Sequence, residues 1–107
     1  MNFADLGKMK ELMTQARDMQ EQMERKLVDT VVEATSGGGV VTARMNGRKE
    51  LLRLKIDPVV MGSSESDIEM LEDLITAAVN EAGRKADEAM KSSVQGMMGG
   101  LNLPGIS

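Results

Sequence analysis

The chain has 107 residues and a net charge of −4, and it contains no Cys, His, Trp or Tyr. This length accommodates one domain with a small core. Because Cys and His are missing, the usual nucleophile–base pairs and nearly all zinc sites are excluded. A phosphate-binding loop is excluded as well, since Gly37-Gly38-Gly39 is followed by Val-Val-Thr rather than Lys-Ser or Lys-Thr. The composition therefore indicates a binding protein, not an enzyme, with no cofactor and no metal.

The charges are unevenly distributed along the chain. Residues 31–58 carry five basic and three acidic residues, whereas residues 59–107 carry three basic and eight acidic residues. A polyanionic partner would therefore prefer the middle of the chain or the first helix. The absence of Cys fits a reducing cytoplasm, and no apolar run reaches the length of a signal peptide or a membrane span. We expect a cytoplasmic protein with no membrane partner and no small-molecule substrate.

The first predicted element is an amphipathic helix from about Asp5 to about Lys26. Apolar residues recur there at steps of three, four or seven, and two more widen the stripe on one flank. The stripe consists of Leu6, Met9, Met13, Ala16, Met23 and Leu27, with Leu12 and Met19 beside it. This spacing is typical of one helix face. At about 1.5 Å per residue the helix would be roughly 30 Å long, which is long for a domain of this size.

Three strands are predicted next, because the apolar residues change to a period of two. Their apolar sides are Val32 and Ala34; Val41, Ala43 and Met45; and Leu52, Leu54 and Ile56. Two-residue turns at Gly37-Gly38 and Asn46-Gly47 would connect them. That register pairs Ala34 with Val41, and Val41 with Leu52. All apolar rows then share one face of an antiparallel meander.

The second long helix is predicted to begin at a capping box formed by Ser66 and Glu69. A long apolar stripe follows, made of Ile68, Leu71, Leu74, Ile75, Ala78, Val79, Ala82, Ala86, Ala89 and Met90. Acidic residues crowd the first turns, as the helix dipole favours. The last residues show no period. We therefore expect a single α+β domain over residues 1–94 and a flexible Gly/Met-rich tail over 95–107.

The predicted fold class is α+β, in the order α-β-β-β-α, with a three-stranded antiparallel meander flanked by two long helices. One such sheet cannot cover two helices of more than twenty residues each. Exposed apolar stripes of that size usually mark an interface, and a second copy of the chain is the commonest partner. The sequence thus predicts a homodimer.

Basic residues are the first candidates for function. In the predicted register, Arg44, Lys49, Arg53 and Lys55 share the sheet face opposite the apolar row, where they could follow phosphates. The alternative is a solvated face on which charge prevents edge pairing. The helical cations allow the same two interpretations, because neighbouring carboxylates could balance them in exposed pairs.

Two further features of the composition bear on function. The chain has 11 methionines, which indicate either an adaptable surface for partner peptides or, more often, a core or dimer seam. Base stacking is excluded, since Phe3 is the only aromatic residue.

Several segments together carry a family resemblance over nearly the whole chain. A Met- and Gln-rich helix precedes Ser-Gly-Gly-Gly at 36–39, Asn46-Gly47, and Leu-Arg-Leu-Lys-Ile-Asp-Pro at 52–58. Met-Leu-Glu-Asp-Leu-Ile at 70–75, Ala-Ala-Val-Asn-Glu-Ala at 77–82 and a late Pro-Gly follow. This combination resembles the bacterial YbaB/EbfC family of nucleoid-associated proteins.

The resemblance implies a cytoplasmic, nucleoid-associated homodimer with a tweezer-like shape. Such proteins bind double-stranded DNA with little sequence preference and contribute to nucleoid organisation and gene regulation. Their helices are the elements linked to DNA contact. The matching cations are Arg17, Arg25 and Lys26 on the first helix and Arg84, Lys85 and Lys91 on the second, with Arg53 and Lys55 in the matching strand segment. The alternative is a dimeric scaffold that docks a partner protein without binding DNA directly, which the acidic second helix and the missing aromatics favour.

Overall fold

The computed structural model describes residues 3–60 and 64–99. Along the chain lie α1 (Phe3–Asp29), β1 (Val31–Ser36), β2 (Val41–Asn46), β3 (Leu51–Ile56), a 3-10 turn (Pro58–Val60) and α2 (Glu65–Gly99). The predicted α-β-β-β-α order and the three-stranded meander are confirmed. Because α2 continues to Gly99, residues 95–99 of the predicted tail are helical. The remainder of that tail, 100–107, lies outside the described residues, and the predicted domain limits stay a prediction.

The sheet is antiparallel in the order β1-β2-β3, with longer turns than the sequence suggested. Ala34 pairs with Ala43, and Val41 pairs with Ile56. The predicted pairings of Ala34 with Val41 and of Val41 with Leu52 are therefore wrong, because each turn has four residues instead of two. Each pairing is shifted from its predicted register by an even number of residues. Since side chains alternate with a period of two, the apolar rows still share one face.

Each turn has its own local cause. Gly37, Gly38 and Gly39 all have positive φ, at 61°, 73° and 101°, which residues with a Cβ rarely adopt. In the second turn, Asn46 is buried, and its Oδ1 accepts from the amides of Arg48 (3.0 Å) and Glu50 (3.1 Å). Its Nδ2 donates to Glu50 Oε1 at 2.9 Å. These bonds give the buried side-chain amide of Asn46 its hydrogen-bond partners. They also close a turn that is longer than the one the Asn-Gly dipeptide alone predicts.

The core lies between α2 and two of the three strands. Ala78, Ala82 and Ala86 recur every four residues on α2, and all three are fully buried. They face a sheet surface formed by Ala34, Val41, Ala43 and Met45. Because alanine is small, the helix can approach the sheet closely. α2 packs on β1 and β2 and makes little contact with β3, so the apolar side of β3 remains half exposed.

Helix α1 projects from this core. None of its described residues is buried, and its main tertiary contact is with β2. Two polar bonds hold its C-terminal end to the second turn: Gly47 N donates to Leu27 O at 2.8 Å, and Arg48 Nη2 lies 3.2 Å from Glu24 Oε1. The described chain measures 75 × 32 × 16 Å and has a radius of gyration of 21.4 Å. A compact chain of this length would have about 13 Å, so α1 is an arm.

The start of α2 differs from its predicted start. The helix begins at Glu65, and Ser64 precedes it. Ser64 Oγ accepts from the Asp67 amide at 3.2 Å and donates to Asp67 Oδ2 at 2.5 Å, and the Ser64 amide lies 3.4 Å from the same oxygen. The capping box is thus Ser64 with Asp67. The predicted box of Ser66 with Glu69 is wrong by two residues, because the same Ser-x-x-acid spacing occurs twice in succession.

Candidate nucleic-acid interface

The three predicted cations of α1 lie on the exposed arm. Arg17, Arg25 and Lys26 are all exposed, and no ion-pair partner is found for their side chains within the described part of the chain. Arg17 and Arg25 line one shallow groove along the helix. That groove is completed by Gln20, Glu21, Glu24, Val28 and Asp29. Carboxylates therefore lie between the two guanidinium groups. A phosphate would have to approach each guanidinium group from the outer end of its side chain.

The three predicted cations of α2 differ in their environment. Arg84 forms an ion pair with Glu81 one helical turn away, and the Arg84 side chain remains mostly exposed. Lys85 Nζ donates to the backbone oxygen of Glu33 on β1 at 2.9 Å, which ties the helix to the sheet. Lys91 is exposed near the end of the helix. Only Lys91 of this set has its charged group free of a bond among the described residues.

Arg53 and Lys55 lie on the face of the sheet that α2 leaves open. With Glu33, Thr42 and Arg44 they line one concave polar surface. The register places Arg53 directly opposite Arg44 and Lys55 directly opposite Thr42. The sequence-predicted grouping of Arg44, Arg53 and Lys55 on one face is therefore found in the structure.

Lys49, the fourth member of the predicted sheet-face group, lies elsewhere. It belongs to the second turn, where its φ is +65°, and its Nζ lies 3.0 Å from Asp87 Oδ2 on α2. The prediction that Lys49 shares the sheet face is wrong because the turn has four residues. The neighbouring Arg48 bonds Glu24 of α1. Sequence reasoning missed both contacts, since each joins residues that are far apart in the chain.

Among the exposed apolar residues, one group lies on α1 and another on β3. On α1, Leu12 is 64% exposed, Met13 65% and Met19 60%. On β3, Leu51 is 46% exposed and Leu52 51%. A bulge in β3 places Leu51 opposite the buried Met45, with Leu52 as the extra residue. Apolar side chains at this exposure along two elements are characteristic of surfaces that contact another molecule.

Within the ranges 3–60 and 64–99, no cluster of three or more carboxylates is arranged to hold a metal ion. The same ranges contain no helix that is both long and apolar enough to cross a bilayer.

Comparisons with known proteins agree with this arrangement. Residues 6–101 match the family described as the YbaB/EbfC DNA-binding family. A nucleoid-associated protein of Acidobacterium capsulatum is 61% identical over 100 residues, covering 91% of this chain and 93% of that protein. One from Koribacter versatilis is 54% identical over 96 residues, covering 90% and 93%. The crystal structure of an uncharacterized Helicobacter pylori protein superposes with a TM-score of 0.67 at 30% identity, covering 92% of this chain and 98% of that one.

Proposed function

The chain belongs to the YbaB/EbfC DNA-binding family, and we propose that it binds double-stranded DNA as a homodimer, mainly through backbone phosphates. In this role it contributes to nucleoid organisation and gene regulation in the bacterial cytoplasm, without enzymatic activity. The match over residues 6–101 is the observation that carries the proposal. The relatives named nucleoid-associated proteins support it, since they match over nearly their full length.

The distribution of free cations supports the phosphate-directed mode of binding. Arg17, Arg25 and Lys26 project from the α1 arm, and Lys91 projects from the end of α2. Such side chains add salt-dependent affinity without reading sequence. Arg84 and Lys85 contribute less, because their charged groups already have partners. Stacking on unpaired bases has little support, since Phe3 is the only aromatic residue.

The uncovered apolar residues support the homodimer. Half-exposed side chains on β3 adjoin the core, so a second copy that covers β3 would extend the same core. The exposed stripe of α1 is a second surface available for this purpose. Pairing about a two-fold axis would bury the exposed residues of β3 and the exposed stripe of α1 in both chains at once. Two projecting α1 arms would then give the tweezer-like shape expected from the resemblance.

The first test is fluorescence anisotropy of a labelled random duplex of about 30 base pairs, titrated with the protein at several salt concentrations. We expect affinity to fall linearly with salt on logarithmic axes, at about 0.9 per phosphate contact. Sedimentation equilibrium of the protein without DNA should give twice the chain mass of 11.6 kDa. No binding at low salt would contradict DNA binding and favour the protein-scaffold alternative, which a nuclease-resistant pull-down would then test.

A further inference from the structure

The sheet has one face against α2 and one open polar face. The register arranges the open face in two rows across the strands: Glu33, Arg44 and Arg53 form one, and Thr35, Thr42 and Lys55 form the other. Three cations thus stand beside a single carboxylate. The surface is concave, and it continues past Thr42 and Lys55 toward Gly39 and Pro58, where a second carboxylate, Asp57, lines it. We call Thr42, Arg44, Arg53 and Lys55 the basic sheet face.

Arg44 and Arg53 are paired directly across the strands. Directly opposed residues of an antiparallel pair have Cα atoms about 4.5–5.5 Å apart, and like charges at this spacing destabilise a sheet. Neither guanidinium has an ion-pair partner in the described part of the chain. By contrast, the two cations of the adjacent turn, Arg48 and Lys49, both have carboxylate partners. Glu33 lies opposite Arg44 on its other side without forming an ion pair, so the protein compensates the repulsion only in part.

The chemistry of this face selects an oxyanion. Two guanidinium groups offer forked pairs of N–H donors that match phosphate oxygens, an ammonium adds a point charge, and the Thr42 hydroxyl can donate a further bond. A phosphate group between Arg44 and Arg53 would convert their repulsion into two charge-assisted contacts. No aromatic side chain lies on the face to stack a base. Phosphate is therefore the matching group, and a stacked nucleobase is not.

We propose that the basic sheet face binds phosphate groups of the DNA backbone, as a contact surface separate from the helices. This inference rests on the proposed DNA-binding function. α2 covers the other face of the sheet, so the cations of α2 do not belong to this surface. The protein thereby carries two kinds of phosphate contact, one on its arms and one on its sheet.

The decisive experiment compares two double variants with the wild-type protein in the salt titration. Arg44→Gln with Arg53→Gln removes two cations from the basic sheet face. Arg48→Gln with Lys49→Gln removes two cations from the adjacent turn and serves as the control matched in charge. We expect the first variant, which removes four cations from a homodimer, to lower the magnitude of the salt slope by up to about 3.6, and the control to lower it by less than about one unit. Equal slopes for the two variants would overturn the proposal.

Amide chemical shifts measured by NMR separate this proposal from the one on which it rests. Titration with the duplex should perturb Thr42, Arg44, Arg53 and Lys55 in the wild-type protein. Perturbation confined to the helices would overturn the sheet site and leave DNA binding intact. If the duplex does not bind at all, the proposed DNA binding is wrong. A titration with inorganic pyrophosphate then tests the basic sheet face by itself. Chemical-shift changes at the same four amides would show that the face binds free phosphate compounds. Unchanged chemical shifts would show that the face is not a phosphate site.

Discussion

Gly47 lies where the last turn of α1 meets the second turn of the sheet and α2. A Cβ added there would lie 2.7 Å from Leu27 O and 2.8 Å from Met90 Sδ. The methionine can move, but the carbonyl oxygen belongs to the α1 backbone and accepts the Gly47 amide. We expect Gly47→Ala to lower the free energy of unfolding by about 1–3 kcal/mol, as overpacking does. Urea denaturation measures this loss.

Gly7→Ala is the matched control for that variant. A Cβ at Gly7 meets nothing within 4 Å, and alanine favours a helix over glycine. We expect no loss of stability. If both variants were equally stable, the contact between α1 and the second turn would be loose, and the angle of the arm would not be fixed there.

Arg53 is kept at a cost to the fold, because it faces Arg44 across the strands. Arg53→Thr removes the repulsion and introduces a residue with high strand propensity. We expect it to raise the free energy of unfolding by about 0.2–1 kcal/mol at low salt, with the gain shrinking as salt screens the pair. DNA affinity should fall at the same time. A variant that is less stable at every salt concentration would show that Arg53 contributes to packing instead.

Individual site residues were only partly predictable from the sequence. Period two places Arg53 and Lys55 on one strand face, and the structure agrees. No local pattern reveals that Lys85 reaches the Glu33 carbonyl, 52 residues away, or that Lys49 reaches Asp87, 38 residues away. Long side chains choose partners that only the tertiary fold brings near. Cations therefore could be counted from the sequence, while free and occupied cations could not be distinguished.

At the scale of elements, the start of α2 offers a direct choice between two serines. Ser64 caps the helix, whereas Ser66 lies inside its first turn. We expect Ser64→Ala to lower the free energy of unfolding by about 0.5–2 kcal/mol, because the amide of Asp67 loses its acceptor. Ser66→Ala should lower the free energy of unfolding by no more than a few tenths of a kcal/mol. Thermal denaturation followed by circular dichroism measures both, and a larger loss for Ser66→Ala would restore the box predicted from the sequence.

The elements themselves were predictable because their periods are strong, whereas the turns were not. A two-residue turn at Asn46-Gly47 is the ordinary result of that dipeptide. Here the Asn46 side chain instead accepts from the amides of Arg48 and Glu50, so the turn includes four residues. Register errors of even size preserve which face is apolar. This is why the fold class and the basic sheet face survive an incorrect register.

At the scale of the whole molecule, the single chain is more extended than a compact domain of its length. Its small core consists largely of alanine, and α1 contributes no buried residue. A chain that buries so little apolar surface gains little free energy on folding. Association of two chains would add the missing burial and would make stability depend on protein concentration.

The dimer and its DNA binding can be tested together through Leu52, which is 51% exposed on β3. Leu52→Lys adds a positive charge, so electrostatics alone would steepen the salt dependence of DNA binding. If a second copy covers β3, however, the buried lysine prevents dimerisation. The slope should then fall to roughly half, because one set of contacts is lost. Sedimentation equilibrium should show a monomer, and circular dichroism should show retained helix.

Leu52→Val is the control for that experiment, since it keeps the site apolar and should leave both mass and slope unchanged. A monomeric Leu52→Lys protein with an undiminished slope would show that one chain suffices to bind DNA. A dimeric Leu52→Lys protein would show that β3 is not the interface. The exposed stripe of α1 would then be the next apolar surface to test for pairing, and Met13→Lys would be the variant that tests it.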